Sequence, residues 1–177
     1  VIFHSENGVI GYGPLATMET LDIHLVNAGG QHVTLESFAS IVHHADAFGV
    51  IRSGRINATA LGSYEVAENG DFANWKLAGK KGGGIGGAMD LATCAQRVLI
   101  IMDHTTKDGK PRLLKRCNLP ITAAGVAKMV FTDLGVFEVG PEGFTMVEIA
   151  PEWTPEEVQE LTEATLNISP NLTEIQL

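Results

Sequence analysis

The stretch His4-Ser5-Glu6-Asn7-Gly8, which follows the apolar residues 1–3, decides how the rest of the sequence is interpreted. The apolar run is typical of the end of a buried strand, and open α/β sheets carry their chemistry at the carboxyl ends of strands. Several turn-forming residues come next: Gly8, Gly11, Gly13 and Pro14. They allow the backbone to fold tightly around the Glu6 side chain. Glu6 is therefore a candidate catalytic carboxylate, and an ordinary turn with a solvated glutamate is the alternative that spacing leaves open.

A series of short blocks resembles the B subunits of the 3-oxoacid CoA-transferases, the family I CoA-transferases. Ser5-Glu6-Asn7-Gly8 followed by Gly11-Tyr12-Gly13-Pro14 is similar to the active-site segment of that family, in which the glutamate is the nucleophile. Further blocks follow in the family's order: residues 25–31, 43–48, 73–75, 86–91, 117–122, 132–134 and 147–148. Because they are spread over most of the chain, the resemblance is more specific than any single tripeptide.

The resemblance implies an α/β fold, an open sheet of mixed strands flanked by helices, of the CoA-transferase type. We see no linker or internal repeat, and we expect residues 1–177 to form a single domain. Related B subunits carry a further strand–helix unit ahead of this point. We therefore expect a fragment, a processed chain or a partner that supplies this unit, since a parallel sheet needs such units to cover its faces.

The implied reaction is transfer of CoA from succinyl-CoA to a 3-oxo acid, either acetoacetate or 3-oxoadipate, through a covalent glutamyl-CoA thioester on Glu6. The pair His43-His44 and residues 105–109 lean toward the oxoadipate-type relatives. Each attack on a carbonyl builds negative charge on oxygen, which backbone N–H groups can stabilise. The resemblance assigns this role to the amide of Gly86 or Gly87, at the end of a glycine-rich loop that precedes a predicted helix.

Six other residues are candidates for substrate or CoA binding: Asn7, Gly8, Asn27, Asn74, Lys80 and Lys81. The two lysines are cations that can meet CoA phosphates, although solvated surface lysines are the alternative. Asn74 has turn chemistry as its alternative. His43-His44-x-Asp46 lacks a third spaced ligand, so we expect no metal site. The run Gly82-x-Gly84-x-x-Gly87 is not interpreted as a dinucleotide fingerprint, because no buried strand leads directly into it.

Two other functions stay open at this point. An acyl-CoA hydrolase results if water reaches the glutamyl thioester. A non-catalytic ligand-binding domain of the same fold results if Glu6 is merely structural.

Composition narrows the class of protein. The chain has 177 residues, 45% of them hydrophobic and 19% charged, which indicates a globular chain with a sizeable core. A net charge of −9 argues against nucleic-acid or anionic-membrane binding. Two cysteines, Cys94 and Cys117, make no disulfide framework. We expect a cytoplasmic protein without a tightly bound cofactor, with CoA thioester as substrate and a CoA-transferase A subunit as partner.

Hydrophobic periodicity and turn residues predict most of the elements. We expect a short helix within residues 37–48, a central strand over 56–61, a hairpin around Asn69-Gly70, a helix over 88–97 and a strand over 98–102. Residues 128–149 predict a three-stranded meander. A helix capped by Thr154 and ending near Ala164, then an extended tail, complete the chain. The basic residues of 110–116 are interpreted as a solvated face.

Overall fold

The computed structural model describes residues 1–79 and 81–176, which group into two compact units. The first unit is Val1–Ile56, and the second runs from Asn57 onward. The sequence-based expectation of a single domain stays a prediction.

The first unit is a pair of antiparallel strands followed by a helix. Strand β1 (Val9–Leu15) pairs with β2 (Val33–Ile41), and α1 (His44–Arg52) follows. Helix α1 begins after His43, whose side chain accepts a hydrogen bond from the Ala45 amide. A side-chain acceptor at this position satisfies one of the amides that a helix start leaves unpaired.

Two sequence-based expectations in this unit are wrong. Residues 1–3 are exposed and lie outside any strand, so Glu6 does not follow a buried parallel strand. The helix expected within residues 37–48 begins only at His44, because the backbone up to Ile41 pairs with β1. Pairing with a distant strand has overridden a weak local pattern.

The second unit contains the following elements in chain order: β3 (Thr59–Gly62), β4 (Glu65–Ala67), β5 (Phe72–Ala73), α2 (Ala88–Cys94), β6 (Val98–Ile101), β7 (Leu113–Leu114), β8 (Ala127–Phe131), β9 (Gly135–Gly140), β10 (Gly143–Ile149), α3 (Pro155–Glu160) and β11 (Leu166–Glu174). Six of these strands form one sheet in the order β11-β10-β9-β8-β6-β3. Strands β3, β6 and β8 are parallel, β8 to β10 are antiparallel, and β10 and β11 are parallel. The expected mixed α/β sheet is therefore confirmed.

A three-stranded sheet, in the order β5-β4-β7, accompanies the large one. The core of this unit is built from fully buried aromatic and aliphatic side chains such as Phe72, Ile100, Phe137, Phe144 and Met146. Burial of large apolar groups of this kind is the main favourable term in folding.

Local signals predicted several elements of this unit correctly. The meander over β8 to β10, the hairpin of β4 and β5 and the strand β6 are confirmed. Thr154 and Glu157 form the expected reciprocal capping box of α3. Helix α3 ends at Glu160 rather than near Ala164, and α2 ends at Cys94. The strand expected to be central is β3, which among the described strands lies at an edge of the sheet.

Candidate active site

Glu6 lies in a tight turn of the first unit. His4 bridges Ile10 in antiparallel fashion, the Ser5 amide donates to the Val9 carbonyl at 2.8 Å, and the Gly8 amide donates to the Ser5 carbonyl at 3.1 Å. These bonds close a short loop with Glu6 within it, half-buried. The loop thus holds the backbone of Glu6 while leaving part of its side chain accessible.

Neighbouring backbone pins this turn from two sides. Gly8 has a φ of +114°, and a Cβ at this position would overlap the Val42 carbonyl oxygen. The Val42 amide in turn donates to the Gly8 carbonyl at 2.9 Å. The side-chain amide of Asn7 donates to the Val26 carbonyl at 2.8 Å. Only glycine fits this close approach, which explains why position 8, two residues after Glu6, is a glycine.

Two polar side chains next to Glu6 are buried at their polar atoms. Ser5 is 2% exposed, and neither its Oγ nor Nε2 of His4 has a hydrogen-bond partner among residues 1–79 and 81–176. Burial lowers the pKa of His4 from its ordinary value, which a backbone hydrogen bond involving Ala47 partly opposes. Burial thus favours the neutral form of His4 in this turn.

Asn27 organises the turn that precedes β2. Its Oδ1 accepts from the amides of Gly29 and Gln31, both at 3.0 Å, and its Nδ2 donates to the Gln31 side chain at 3.2 Å. The side chain is used in local turn chemistry. The expected role of Asn27 in substrate binding stays a prediction.

His43 and His44 have structural contacts in the first unit. His43 caps α1, and the ring of His44 packs on Phe48 with centroids 4.8 Å apart. In the described part of the chain, no group of three or more His, Cys, Asp or Glu side chains is arranged to hold a metal ion.

The glycine-rich loop of the second unit leads into α2. Gly86 is exposed and Gly87 is buried, and Gly87 caps α2 without any side-chain hydrogen bond. First-turn amides at this position are therefore not covered by a capping side chain. Lys81 is exposed, and Lys80 lies outside the described residues. The assignment of Gly86 and Gly87 as oxyanion donors stays a prediction.

An open cavity of about 800 Å³ lies in the second unit, at the carboxyl ends of the parallel strands β3, β6 and β8. This is the edge where open α/β sheets bind ligands. The lining residues are Gly62, Ser63, Tyr64, Asn74, Ile101, Met102, Asp103, Arg112, Phe131, Thr132 and Asp133. Asn74 is the one sequence-based candidate among them.

The Asn74 side chain is held on both of its polar atoms. Its Nδ2 donates to the Gly62 carbonyl at 3.0 Å, and its Oδ1 accepts from the Thr122 hydroxyl at 2.7 Å. The Thr122 hydroxyl also accepts from the backbone N–H of Asn74 at 3.0 Å. These hydrogen bonds connect the end of β3 to the segment around Thr122, and they fix the Asn74 side chain where it lines the cavity.

Arg112 is the cavity residue that sequence reasoning missed. It belongs to the basic run whose charge predicts a solvated face, yet its side chain is only 18% exposed. The missed signal is its position immediately before the buried pair Leu113-Leu114, because a residue that adjoins a buried strand starts beside the core.

His104 contacts two residues that line the cavity, Thr132 and Asp133. It is fully buried, with Nε2 2.8 Å from the Thr162 hydroxyl and Nδ1 3.1 Å from the Thr132 hydroxyl. Because Thr162 donates to the Val158 carbonyl, it accepts from Nε2–H, and Nδ1 of the neutral ring is an acceptor. The Thr132 hydroxyl beside Nδ1 also has the Gly135 carbonyl within reach, at 3.2 Å. Burial lowers the pKa of His104 to about 4, although the Asp133 carboxylate opposes this shift.

Cys117 contacts the hairpin of β4 and β5. Its Sγ lies 3.7 Å from the Asp71 carbonyl oxygen. Burial first, and the charges of Glu65 and Asp71 second, raise the pKa of this thiol to about 12. Both cysteines of the chain are unbridged.

Comparison with known proteins identifies the family. Residues 1–161 match the family model described as Coenzyme A transferase. The chain is 43% identical over 164 residues to the B subunit of 3-oxoadipate CoA-transferase from Pseudomonas putida, covering 92% of this chain and 76% of that protein. It is 40% identical over 168 residues to the B subunit of succinyl-CoA:3-ketoacid coenzyme A transferase from Helicobacter pylori, covering 95% of this chain and 81% of that protein.

A solved structure agrees with these matches at the level of the fold. The crystal structure of an acyl-CoA transferase apoenzyme from Escherichia coli O157:H7 superposes with a TM-score of 0.76 over 99% of this chain and 35% of that chain, at 20% identity. The similarity in sequence and the similarity in fold lead to one conclusion: the chain belongs to the coenzyme A transferase family.

Proposed function

We propose that this chain is the glutamate-bearing B subunit of a CoA-transferase that moves CoA from succinyl-CoA to a 3-oxo acid, acetoacetate or 3-oxoadipate. The observation that carries the proposal is the identity of 40% to 43%, over most of the chain, to B subunits whose names give 3-oxoadipate in one case and succinyl-CoA with a 3-ketoacid in the other. The sequence blocks that contain Glu6 and the glycine-rich loop lie within the matched residues.

Glu6 is the proposed carrier of both acyl group and CoA. Its carboxylate attacks the thioester carbonyl of succinyl-CoA, the C–S bond breaks, and CoA thiolate leaves a mixed anhydride behind. The thiolate then attacks the Glu6 carbonyl of the anhydride, which releases succinate and forms the glutamyl-CoA thioester. The acceptor acid reverses these steps and leaves as its own CoA ester, so that the thioester energy is retained and no tightly bound cofactor is needed.

The geometry of the first unit supports this role for Glu6. Covalent attack by a carboxylate requires a fixed approach, and small displacements of the nucleophile cost rate steeply. The turn is fixed by hydrogen bonds from Ser5, Gly8 and Val42, while Glu6 itself is half-buried. The amides of Gly86 and Gly87 are the proposed donors to the oxyanions, by analogy with the family.

The proposal includes a partner, because the similar chains are named as B subunits. We propose an A subunit that completes the active site, in a hetero-oligomer. We also propose a cytoplasmic location, in keeping with two unbridged cysteines. No helix in the described residues is long and apolar enough to cross a membrane.

The test is to trap the proposed glutamyl-CoA thioester. The chain, assembled with its partner, is incubated with succinyl-CoA, treated with borohydride, digested and analysed by peptide mass spectrometry. We expect modification of the peptide that carries Glu6, and complete loss of both modification and CoA transfer in Glu6→Ala. Glu19→Ala is the matched control, because Glu19 is an exposed glutamate of the same unit.

One result would contradict the covalent mechanism, and another would change the reaction assigned to it. If a preparation that transfers CoA shows no modified Glu6 peptide, the carboxylate is not the carrier. If succinyl-CoA is consumed to free CoA without an acceptor acid, the protein is an acyl-CoA hydrolase instead.

A further inference from the structure

Arg112 is the one cation among the described residues that line the cavity of the second unit. Its Nε is buried and has no hydrogen-bond partner in the described chain. The nearest carboxylate is Asp103, whose Oδ2 lies 3.9 Å from Nη1 and whose side chain is 79% exposed. An ion pair this long and this exposed is weak. The guanidinium therefore brings hydrogen-bond donors into the cavity that the protein itself does not fully use.

The backbone holds Arg112 firmly in this place. Its amide donates to the His104 carbonyl at 3.1 Å, and its carbonyl accepts from the Val66 amide at 2.9 Å. By contrast, Lys110 points into solvent and pairs with Asp108 at 2.8 Å. Lys115 and Arg116 are exposed as well. Arg112 is thus the one basic residue of the run 110–116 that lines the cavity.

The lining favours a carboxylate as the ligand. A guanidinium presents parallel N–H donors that match the two oxygens of a carboxylate. Asp103 and Asp133 line the same cavity and disfavour a doubly charged phosphate more strongly than a singly charged carboxylate. One cation beside two carboxylates is also a poor match for the several phosphates of CoA.

We propose that the cavity of the second unit binds a carboxylate of a dicarboxylic acid substrate through Arg112, and that Arg112 thereby selects dicarboxylic over monocarboxylic acids. This inference rests on the proposed CoA transfer, whose candidate acids differ in their number of carboxylates. Succinate and 3-oxoadipate carry a second carboxylate, and acetoacetate does not. Asp103 forms a weak ion pair with Arg112 when no substrate is bound, and the substrate carboxylate displaces it.

The first experiment compares acceptor acids in the assembled enzyme. In the proposed double-displacement reaction, kcat/KM for the acceptor reports only its own half-reaction, so the carboxylate of the donor does not interfere. For Arg112→Gln we expect kcat/KM for 3-oxoadipate to fall about 10- to 100-fold, the usual range for a charge-assisted bidentate pair, and that for acetoacetate to change less than about threefold. Arg116→Gln removes the same charge from an exposed position and should change neither value.

The second experiment separates binding from support of the fold. Arg112→Lys keeps the charge without the planar fork and should retain a partial preference for 3-oxoadipate. Asp103→Asn removes the internal competitor and should raise kcat/KM for 3-oxoadipate about two- to fivefold. If the Arg112–Asp103 pair is merely structural, Asp103→Asn will lower activity with both acids alike. Thermal unfolding of each variant shows whether the fold is retained.

Several outcomes overturn the proposal. The first is an equal loss of kcat/KM with both acids in a folded Arg112→Gln variant, and the second is no loss with either acid. The third is a raised KM for succinyl-CoA together with weaker inhibition by free CoA, whichever acceptor acid is used. The last pattern assigns Arg112 to a CoA phosphate.

If the wild-type enzyme transfers CoA to no acid, the proposed function fails, and binding still tests Arg112. Calorimetry with succinate and with butyrate should show a preference for succinate that Arg112→Gln abolishes. Equal binding of the two acids by the wild type contradicts the proposal.

Discussion

His104 is a buried histidine whose two ring nitrogens each contact a threonine hydroxyl. Its Nε2–H donates to Thr162, and its Nδ1 lies 3.1 Å from the Thr132 hydroxyl, which has the Gly135 carbonyl at 3.2 Å as a second acceptor. The side chain is fully buried, and burial is the cause of its lowered pKa. The residue is thus a structural group whose contribution depends on pH.

We expect His104 to destabilise the protein in acid. Its pKa is about 4 in the folded chain against 6.5 for an ordinary histidine, so the unfolded chain binds more protons between these values. Its contribution is complete above pH 6.5 and is lost as the pH falls toward 4, by about 3 kcal/mol in total. Urea unfolding of the wild type and of His104→Gln, at pH values from 7.5 to about 4.5, measures this difference.

Glutamine can keep the donor to Thr162 without titrating, and it is therefore the informative replacement. The free energy of unfolding of His104→Gln should be lower at neutral pH but fall less steeply with acid. Parallel curves for the two proteins would show that His104 does not carry the acid sensitivity.

Arg112 shows what sequence reasoning lacks at the scale of a residue. The resemblance supplied Glu6, Asn74 and the glycine loop, because motifs carry those residues. Arg112 stands in a run of basic residues in which charge alone predicts solvent exposure. Which member of the run turns inward depends on the pairing of β7 with β4, a contact between residues that are distant in sequence.

At the scale of an element, the conformation of the Glu6 turn depends on the close packing of its backbone, at Gly8, against Val42. Gly8→Ala would combine a φ of +114° with an overlap against the Val42 carbonyl oxygen, which is backbone and cannot move easily. We expect this change to lower the free energy of unfolding by about 1 to 3 kcal/mol and to reduce CoA transfer more than about tenfold, since Glu6 is displaced.

Gly30→Ala provides the matched control for this element. Gly30 has a φ of +76°, but a Cβ there meets nothing within 4 Å, so the substitution carries backbone strain without an overlap. Urea unfolding and steady-state transfer rates of the two variants give the comparison. Equal effects would mean that the approach to Val42 contributes nothing.

Elements with strong local signals were predicted correctly, and those that depend on distant partners were not. The meander of β8 to β10 has short turns with glycine, and α3 has its capping box, so neighbouring residues determine both. The position of β3 at an edge depends on which strands reach the sheet from far along the chain. Residues 1–3 are apolar, yet apolar character alone does not provide a neighbouring strand to pair with.

At the scale of the whole molecule, the first unit exposes several large apolar side chains. The large side chains involved include Met18 at 90%, Ile23 at 70%, Ile41 at 66% and Phe38 at 58% exposure. Large exposed apolar side chains are candidates for a surface that binds another protein. This agrees with the proposed A subunit as a partner.

We expect Phe38→Ser to weaken assembly with the A subunit while leaving the fold intact, because its side chain is largely exposed in β2. Size-exclusion chromatography and native mass spectrometry of the co-expressed proteins measure the assembled fraction. Ile168→Ser in β11 is the control, since Ile168 is a 45% exposed apolar residue of the second unit. Unchanged assembly of the Phe38 variant would place the interface elsewhere.

The raised pKa of Cys117 has a consequence for an enzyme that handles CoA. The proposed reaction passes through CoA thiolate, and the disulfide of CoA can exchange with a protein thiolate. With a pKa of about 12, Cys117 is almost entirely protonated at neutral pH, and a thiol in this form does not take part in exchange. Burial, together with the carboxylates of Glu65 and Asp71, thus keeps this thiol from exchanging with disulfides of CoA.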